Sequence, residues 1–118
     1  MRPHTGSTYC LQHNTPWAHV FGNHDDLSKK KGDRLTLMKY NQTLNLSFSV
    51  MGPESLFGVS NYFLPIYGEH SDKVEAVICA LDSGGGEIDK QISPEQINWL
   101  VMTYHINQKV YGRVPSIL

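Results

Sequence analysis

The tightest constraint on the fold sits at Ser93-Pro94-Glu95-Gln96. A serine in this place accepts a hydrogen bond from the first turn of a helix, and proline fits the first helical position. A glutamine three residues after the serine reaches back to complete a capping box. Ile97, Leu100, Val101 and Tyr104 follow at helical spacing, with Trp99, Met102 and Ile106 widening the apolar face. A helix so apolar on one side needs a sheet to lie on, which makes the chain a piece of a layered α/β fold.

Trp17-Ala18-His19-Val20-Phe21 is a short, mostly apolar run stopped by Gly22 and reads as a strand buried on both faces. Asp33 is placed to cap a short helix from Arg34, with Leu35, Met38 and Gln42 on one side and Leu37, Tyr40 and Leu44 on another. Ser47 to Gly58 is a loop with Gly52-Pro53 as its turn signal. Val59 to Tyr67 and Val74 to Leu81 are β-forming runs joined by a short polar turn, an antiparallel hairpin. Pro65 lacks a ladder donor and marks an edge or a strand end. After the late helix, Gly112 ends the connection and Val114 to Leu118 opens another buried strand. The expected order is strand, helix, hairpin, helix, strand start.

At 118 residues with 10 basic and 11 acidic side chains, the chain has the size of one small domain and no basic excess for a general nucleic-acid binder. Lys29-Lys30-Lys31 reads as a solvated turn. No apolar stretch is long enough to span a membrane, and the polar N-terminus lacks the apolar middle of a signal peptide. Cys10 and Cys79 form neither a disulfide framework nor a zinc knuckle, and Cys79, in an apolar run, reads as a buried free thiol.

The chemistry concentrates in Gly22-Asn23-His24-Asp25-Asp26, beyond the first strand, where ligands bind in open α/β sheets. Glycine permits a tight turn. The Asn23 amide oxygen is a hard, neutral ligand for a cation, and His24 can donate a proton to a phosphoryl oxygen or a leaving group. Asp25 is placed to orient that imidazole. The same residues also make a good polar turn.

Four ordered blocks carry a resemblance. Trp17 to Asp26 resembles the second block of the calcineurin-like metallophosphoesterases, in their purple-acid-phosphatase-like branch. Gly52-Pro53 through Gly58-Val59-Ser60-Asn61-Tyr62-Phe63-Leu64 resembles that branch's GP…L…GVGNY segment. Leu81-Asp82-Ser83-Gly84 resembles its LDSG strand end, and Ile92 to Leu100 its I…QIxWL helix opening.

The resemblance implies a β-sandwich flanked by helices, with two metal ions (Fe, Mn or Zn) between the sheets. It further implies hydrolysis of a phosphorylated substrate, a phosphomonoester or a phosphoprotein, by a metal-bound hydroxide. It matches Asn23 to a metal ligand and His24 to the histidine that stabilises the transition state or protonates the leaving oxygen. The family's Asp-x-His and Gly-Asp blocks do not precede Trp17, and its late histidines do not follow before Leu118. One Asn and one His are too few ligands for a tight two-metal cluster. The expectation is therefore an N-terminal loop segment at 1–16 and a partial phosphoesterase domain at 17–118, with little or no activity alone. Rival readings are a non-catalytic remnant that binds a partner or phosphate, and a phosphodiesterase of the same superfamily. Neither a nucleic acid nor a membrane is an expected partner.

Other candidates are weaker. His19 lies in the first apolar run and reads as a core or edge histidine; His70 and His105 read as solvated. His4 and His13 flank Cys10 without a fourth zinc ligand. Gly84-Gly85-Gly86 lacks the lysine of a phosphate-binding loop, and Ser83 lacks the setting of a nucleophile elbow. Asn41-Gln42-Thr43 and Asn45-Leu46-Ser47 are formal glycosylation sequons that matter only in a secreted protein.

Overall fold

Aromatic and branched side chains favour a pleated, half-buried surface, and two such runs separated by a short turn pair with each other. They do so here as β1 (Tyr62–Tyr67) and β2 (Val74–Ala80), antiparallel from Tyr62↔Ala80 through Pro65↔Val77 to Tyr67↔Val74, with a register shift between Ile66 and Tyr67. The computed structural model describes residues 10–22, 34–85 and 90–118. Strand order is β1-β2-β3, with β3 at Ser116–Ile117 parallel to β2, so Pro65 lies on an edge strand as its missing N–H requires. Helix α1 spans Arg34–Gln42, and helix α2, Pro94–Tyr111, is the crossover between the parallel strands β2 and β3. The fold is thus a small α+β domain: a three-stranded mixed sheet with helices.

The helix start read from the sequence is present in full. Ser93 is the N-cap of α2, its side chain accepts from the Gln96 N–H, and the Gln96 side chain accepts from the Ser93 N–H. The expected apolar face is a different matter. Ile97, Val101, Met102, Tyr104 and Ile106 are all exposed, and Gln96 is the buried residue of the helix. The cause is the rotation of α2. Gln96 turns inward to polar partners described below, which carries Trp99, its i+3 neighbour just under one turn away, onto Phe63 of β1 with ring centroids 5.3 Å apart. Three strands about 5 Å apart make a floor roughly as wide as one helix, so both flanks of α2 stay uncovered.

The first helix differs from expectation in the same way. Its inward row is Arg34, Met38 and Asn41, while Leu35 is exposed. Met38 is fully buried and carries the apolar part of the contact; the two polar residues are held by hydrogen bonds. The proposed Asp33 cap lies outside the described residues.

Trp17 to Phe21 is extended but is not a doubly buried strand. Its side chains alternate, with Phe21 buried and Ala18 and Val20 exposed. Only one parallel bridge, Trp17↔Ser47, joins it to a neighbour. Elsewhere serines replace the ladder: His19 N–H donates to Ser49 Oγ at 2.7 Å and Phe21 N–H to Ser60 Oγ at 3.1 Å. His19 lies edge-on to Phe21, in keeping with a packing role. The last strand forms at Ser116–Ile117, but as an exposed edge rather than a buried strand. Within the expected N-terminal loop, residues 10–12 make a helical turn closed by Thr15 N–H to Cys10 O, 2.8 Å. Cys79 is a buried free thiol, and burial pushes its pKa up to about 11.

Candidate functional site

At the end of β2, Asp82 is fully buried and surrounded by donors. Its Oδ1 accepts from Arg34 Nη1 at 3.1 Å and from the Gly84 N–H at 3.0 Å. Its Oδ2 accepts from the Val59 N–H at 2.8 Å, the Ser60 N–H at 3.2 Å and the Ser60 hydroxyl at 3.3 Å. A buried carboxylate is tolerated only when it is paired and hydrogen-bonded, and this one is both.

The main chain of Asp82 is held equally closely. Its N–H donates to Asn61 Oδ1 at 2.9 Å and its carbonyl accepts from Gln96 Nε2 at 2.7 Å. Gln96 Nε2 also reaches Asn61 Oδ1, 2.9 Å away, and Asn61 Nδ2 donates to Phe57 O at 2.7 Å. Both amide side chains are therefore bonded at each end, which accounts for their complete burial. The loop before β1 is shaped to admit the carboxylate. Gly58 has φ +80, and a Cβ there would stand 2.6 Å from the Asp82 Cβ.

Arg34 extends this hub toward the predicted site. It opens α1, where a cation is disfavoured by the helix dipole and no acidic residue lies in the first turn, so Asp82 supplies its counter-charge. It is 3% exposed. Nη2 donates to the Gly22 carbonyl at 2.8 Å and to the Gly85 carbonyl at 3.0 Å, and the guanidinium carbon lies 5.3 Å from the Phe21 ring centroid. One planar group thus ties together the last described residue before Asn23 and the strand end at Asp82. Beyond them is an open concavity of about 480 Å³ lined by Gly22, Ser83, Gly84, Lys90, Gln91 and Ile92.

A second set of bonds steadies the approach to Gly22. The Tyr62 hydroxyl donates to His19 O at 2.7 Å, and burial raises its pKa against the lowering effect of Ser49 and that carbonyl. Phe48 N–H donates to Trp17 O and Trp17 N–H to Leu46 O.

Asn23 and His24, the expected metal ligand and catalytic histidine, lie outside the described residues, as do Asp25 and Asp26. Among the described residues no group of three or more His, Cys, Asp or Glu stands together as a candidate metal site. His70 is solvent-exposed in its turn beside Glu69, and His105 is exposed on α2. The sequence reads Arg34 only as the start of a helix and Gln96 only as a capping residue, and it assigns Asn61 and Asp82 no role beyond the blocks that contain them. The available signal was an Asp closing an apolar strand, an Asn inside a β-forming run and a Gln at the third helical position.

Compared with known proteins, the chain matches no family model, no curated protein and no solved structure.

Proposed function

We propose that the chain carries the Asn-His portion of a metal-dependent phosphoester hydrolase of the calcineurin-like, purple-acid-phosphatase-like type. One observation carries the proposal. The four blocks that resemble that family are separate in sequence, yet Asn61, Asp82 and Gln96, from three of them, bond to one another in a buried network, which Arg34 links to the Gly22 carbonyl of the first. A chance set of polar turns has no reason to converge on one residue at a strand end.

In this reading the β-sandwich of the family is the parent architecture of the three-stranded sheet, and the substrate is a phosphomonoester or a phosphoprotein. His24 holds a proton at its imidazole and gives it to the leaving oxygen, or hydrogen-bonds a phosphoryl oxygen. Asn23 offers its amide oxygen to a cation. The two metal ions of the family (Fe, Mn or Zn) need more ligands than this pair, so the chain has little or no turnover alone.

The test is hydrolysis of para-nitrophenyl phosphate with added Mn²⁺, together with calorimetric titration of inorganic phosphate. Slow hydrolysis or phosphate binding that disappears in His24→Ala supports the proposal. Phosphate binding that His24→Ala leaves intact favours a non-catalytic phosphate-binding remnant, and the absence of both activities sinks the phosphoester reading.

A further inference from the structure

We propose that the free edge of β3 and the α2 flank above it form a two-fold interface with a second copy of the chain, joining two three-stranded sheets into one of six strands. The proposal does not depend on the phosphoester reading.

Among the described residues the sheet ends at β3. The Val77 N–H donates to the Pro115 carbonyl at 2.9 Å, so Pro115 faces β2. Main-chain groups alternate sides along a strand, which turns both the N–H and the carbonyl of Ser116 outward. No charged side chain guards this edge from Val114 to Leu118, whereas the opposite edge strand, β1, carries Pro65. Two antiparallel strands pair where facing residues exchange both bonds, and Ser116 meets that condition against its own copy on a two-fold axis.

The helix above points the same way. Trp99 leans on Phe63 of β1, so the flank of α2 opposite Trp99 overhangs β3. That flank is Ile97, Val101 and Tyr104, which are 45%, 48% and 37% exposed. The charged residues of α2, Glu95 and Lys109, lie elsewhere around the helix, so a two-fold opposes no like charges along this row. Strands lie about 4.8 Å apart, so a crossover helix over the β2–β3 gap stands about 5 Å from the axis and its mate about 10 Å away, the distance at which helices pack. Ser116 shares the α2 side of the sheet with Val77, and its small side chain leaves the seam open. On the reverse side Leu64, Ile78 and Ile117 lie abreast, and the axis continues this apolar strip into the second copy. The 18 residues of α2 make a helix about 27 Å long. Its flank and the edge beneath cover on the order of 500–600 Å² per copy, just above the total of about 1,000 Å² that a specific interface needs. The result is a reversible dimer, not an obligate one.

The experiment is sedimentation equilibrium of the full chain at rising concentration, with circular dichroism to confirm that each variant folds. The wild type is expected to give a monomer–dimer equilibrium with Kd about 10–100 µM. Val101→Glu sets like charges together near the axis, and Ser116→Pro removes an outward donor without touching a bond to β2. Each is expected to weaken association about tenfold or more. Met102→Glu, on the Trp99 side of α2, is expected to leave it unchanged. Hydrogen exchange at the Ser116 amide should slow as concentration rises. A wild type that stays monomeric, or that forms oligomers beyond the dimer, overturns the proposal. So does a folded Val101→Glu that dimerises like the wild type, a Met102→Glu that weakens the dimer equally, or Ser116 exchange that is independent of concentration.

Discussion

Asp82→Asn is the sharpest perturbation of the hub because it changes one atom's chemistry and almost no volume. Both carboxylate oxygens face donors: Arg34 and Gly84 on Oδ1, Val59 and Ser60 on Oδ2. An asparagine must place its NH₂ against N–H groups in either flip. Each buried group left unsatisfied costs about 1–3 kcal/mol, and at least two are lost. Breaking a buried ion pair costs about 3–5 kcal/mol, because the 3%-exposed Arg34 keeps its charge without an anion. The two terms share the Arg34 bond, so the expected loss is about 4–6 kcal/mol. That rivals the whole stability of a small domain, about 5–15 kcal/mol. Urea unfolding followed by the fluorescence of Trp17 and Trp99 measures it, with Asp72→Asn in the exposed turn as a control expected to change stability by less than about 0.5 kcal/mol. The double variant Arg34→Met with Asp82→Asn should recover about 1–3 kcal/mol relative to the sum of the single changes. A loss below about 1.5 kcal/mol for Asp82→Asn would refute the claim that charge and donors converge on this carboxylate, since that is no more than one ordinary hydrogen bond.

Gly58→Ala meets both a left-handed backbone and the Asp82 side chain and should lose about 2–4 kcal/mol, whereas Gly112→Ala, at φ +78 with nothing within 4 Å, should lose about 1–2 kcal/mol; paired unfolding curves compare them. Ser93→Ala removes a cap that a buried glutamine shares and should cost about 1–2 kcal/mol, read as reduced helix content and a lower urea midpoint. Burial raises the Cys79 thiol from 9.0 to about 11, so the unfolded chain releases this proton first; the contribution is complete below pH 9 and is lost as pH rises toward 11. Cys79→Ala should therefore lose less stability than the wild type between pH 8 and pH 10.5, checked by urea unfolding at both, and an equal fall in both proteins would contradict the assignment.

What the sequence makes legible is local. The hairpin declares itself through two β-forming runs and a short turn, and the α2 start through a motif four residues long. The helical wheels mislead because they sort residues by hydropathy alone. Arg34, Asn41 and Gln96 look like solvent-facing positions until their partners are known, and those partners come from elsewhere in the chain: Asp82 lies 48 residues from Arg34, and Asn61 lies 35 from Gln96. For the same reason Ile97 and Val101 look like core, yet stand exposed once Gln96 takes the inward place. Trp17 to Phe21 misleads differently. Its apolar content suggests a ladder, but Ser49 and Ser60 hydroxyls take the bonds. The candidate residues Asn23 and His24 remain legible only as a motif.

The sequence distances within the hub also order its assembly in time. β1 and β2 close across a short turn, and Gln96 meets the Asp82 carbonyl over 14 residues, so both contacts carry a small entropy of loop closure. Arg34 must span 48 residues to Asp82 and 51 to Gly85. Its bonds have a landing place only after the hairpin has set the strand end, which puts them on the late side of the folding barrier. Substitutions at Arg34 should then speed unfolding and leave the folding rate nearly unchanged, whereas substitutions in the hairpin slow folding. The bond that reaches the Gly22 carbonyl is, on this ordering, among the last to form and the first to open.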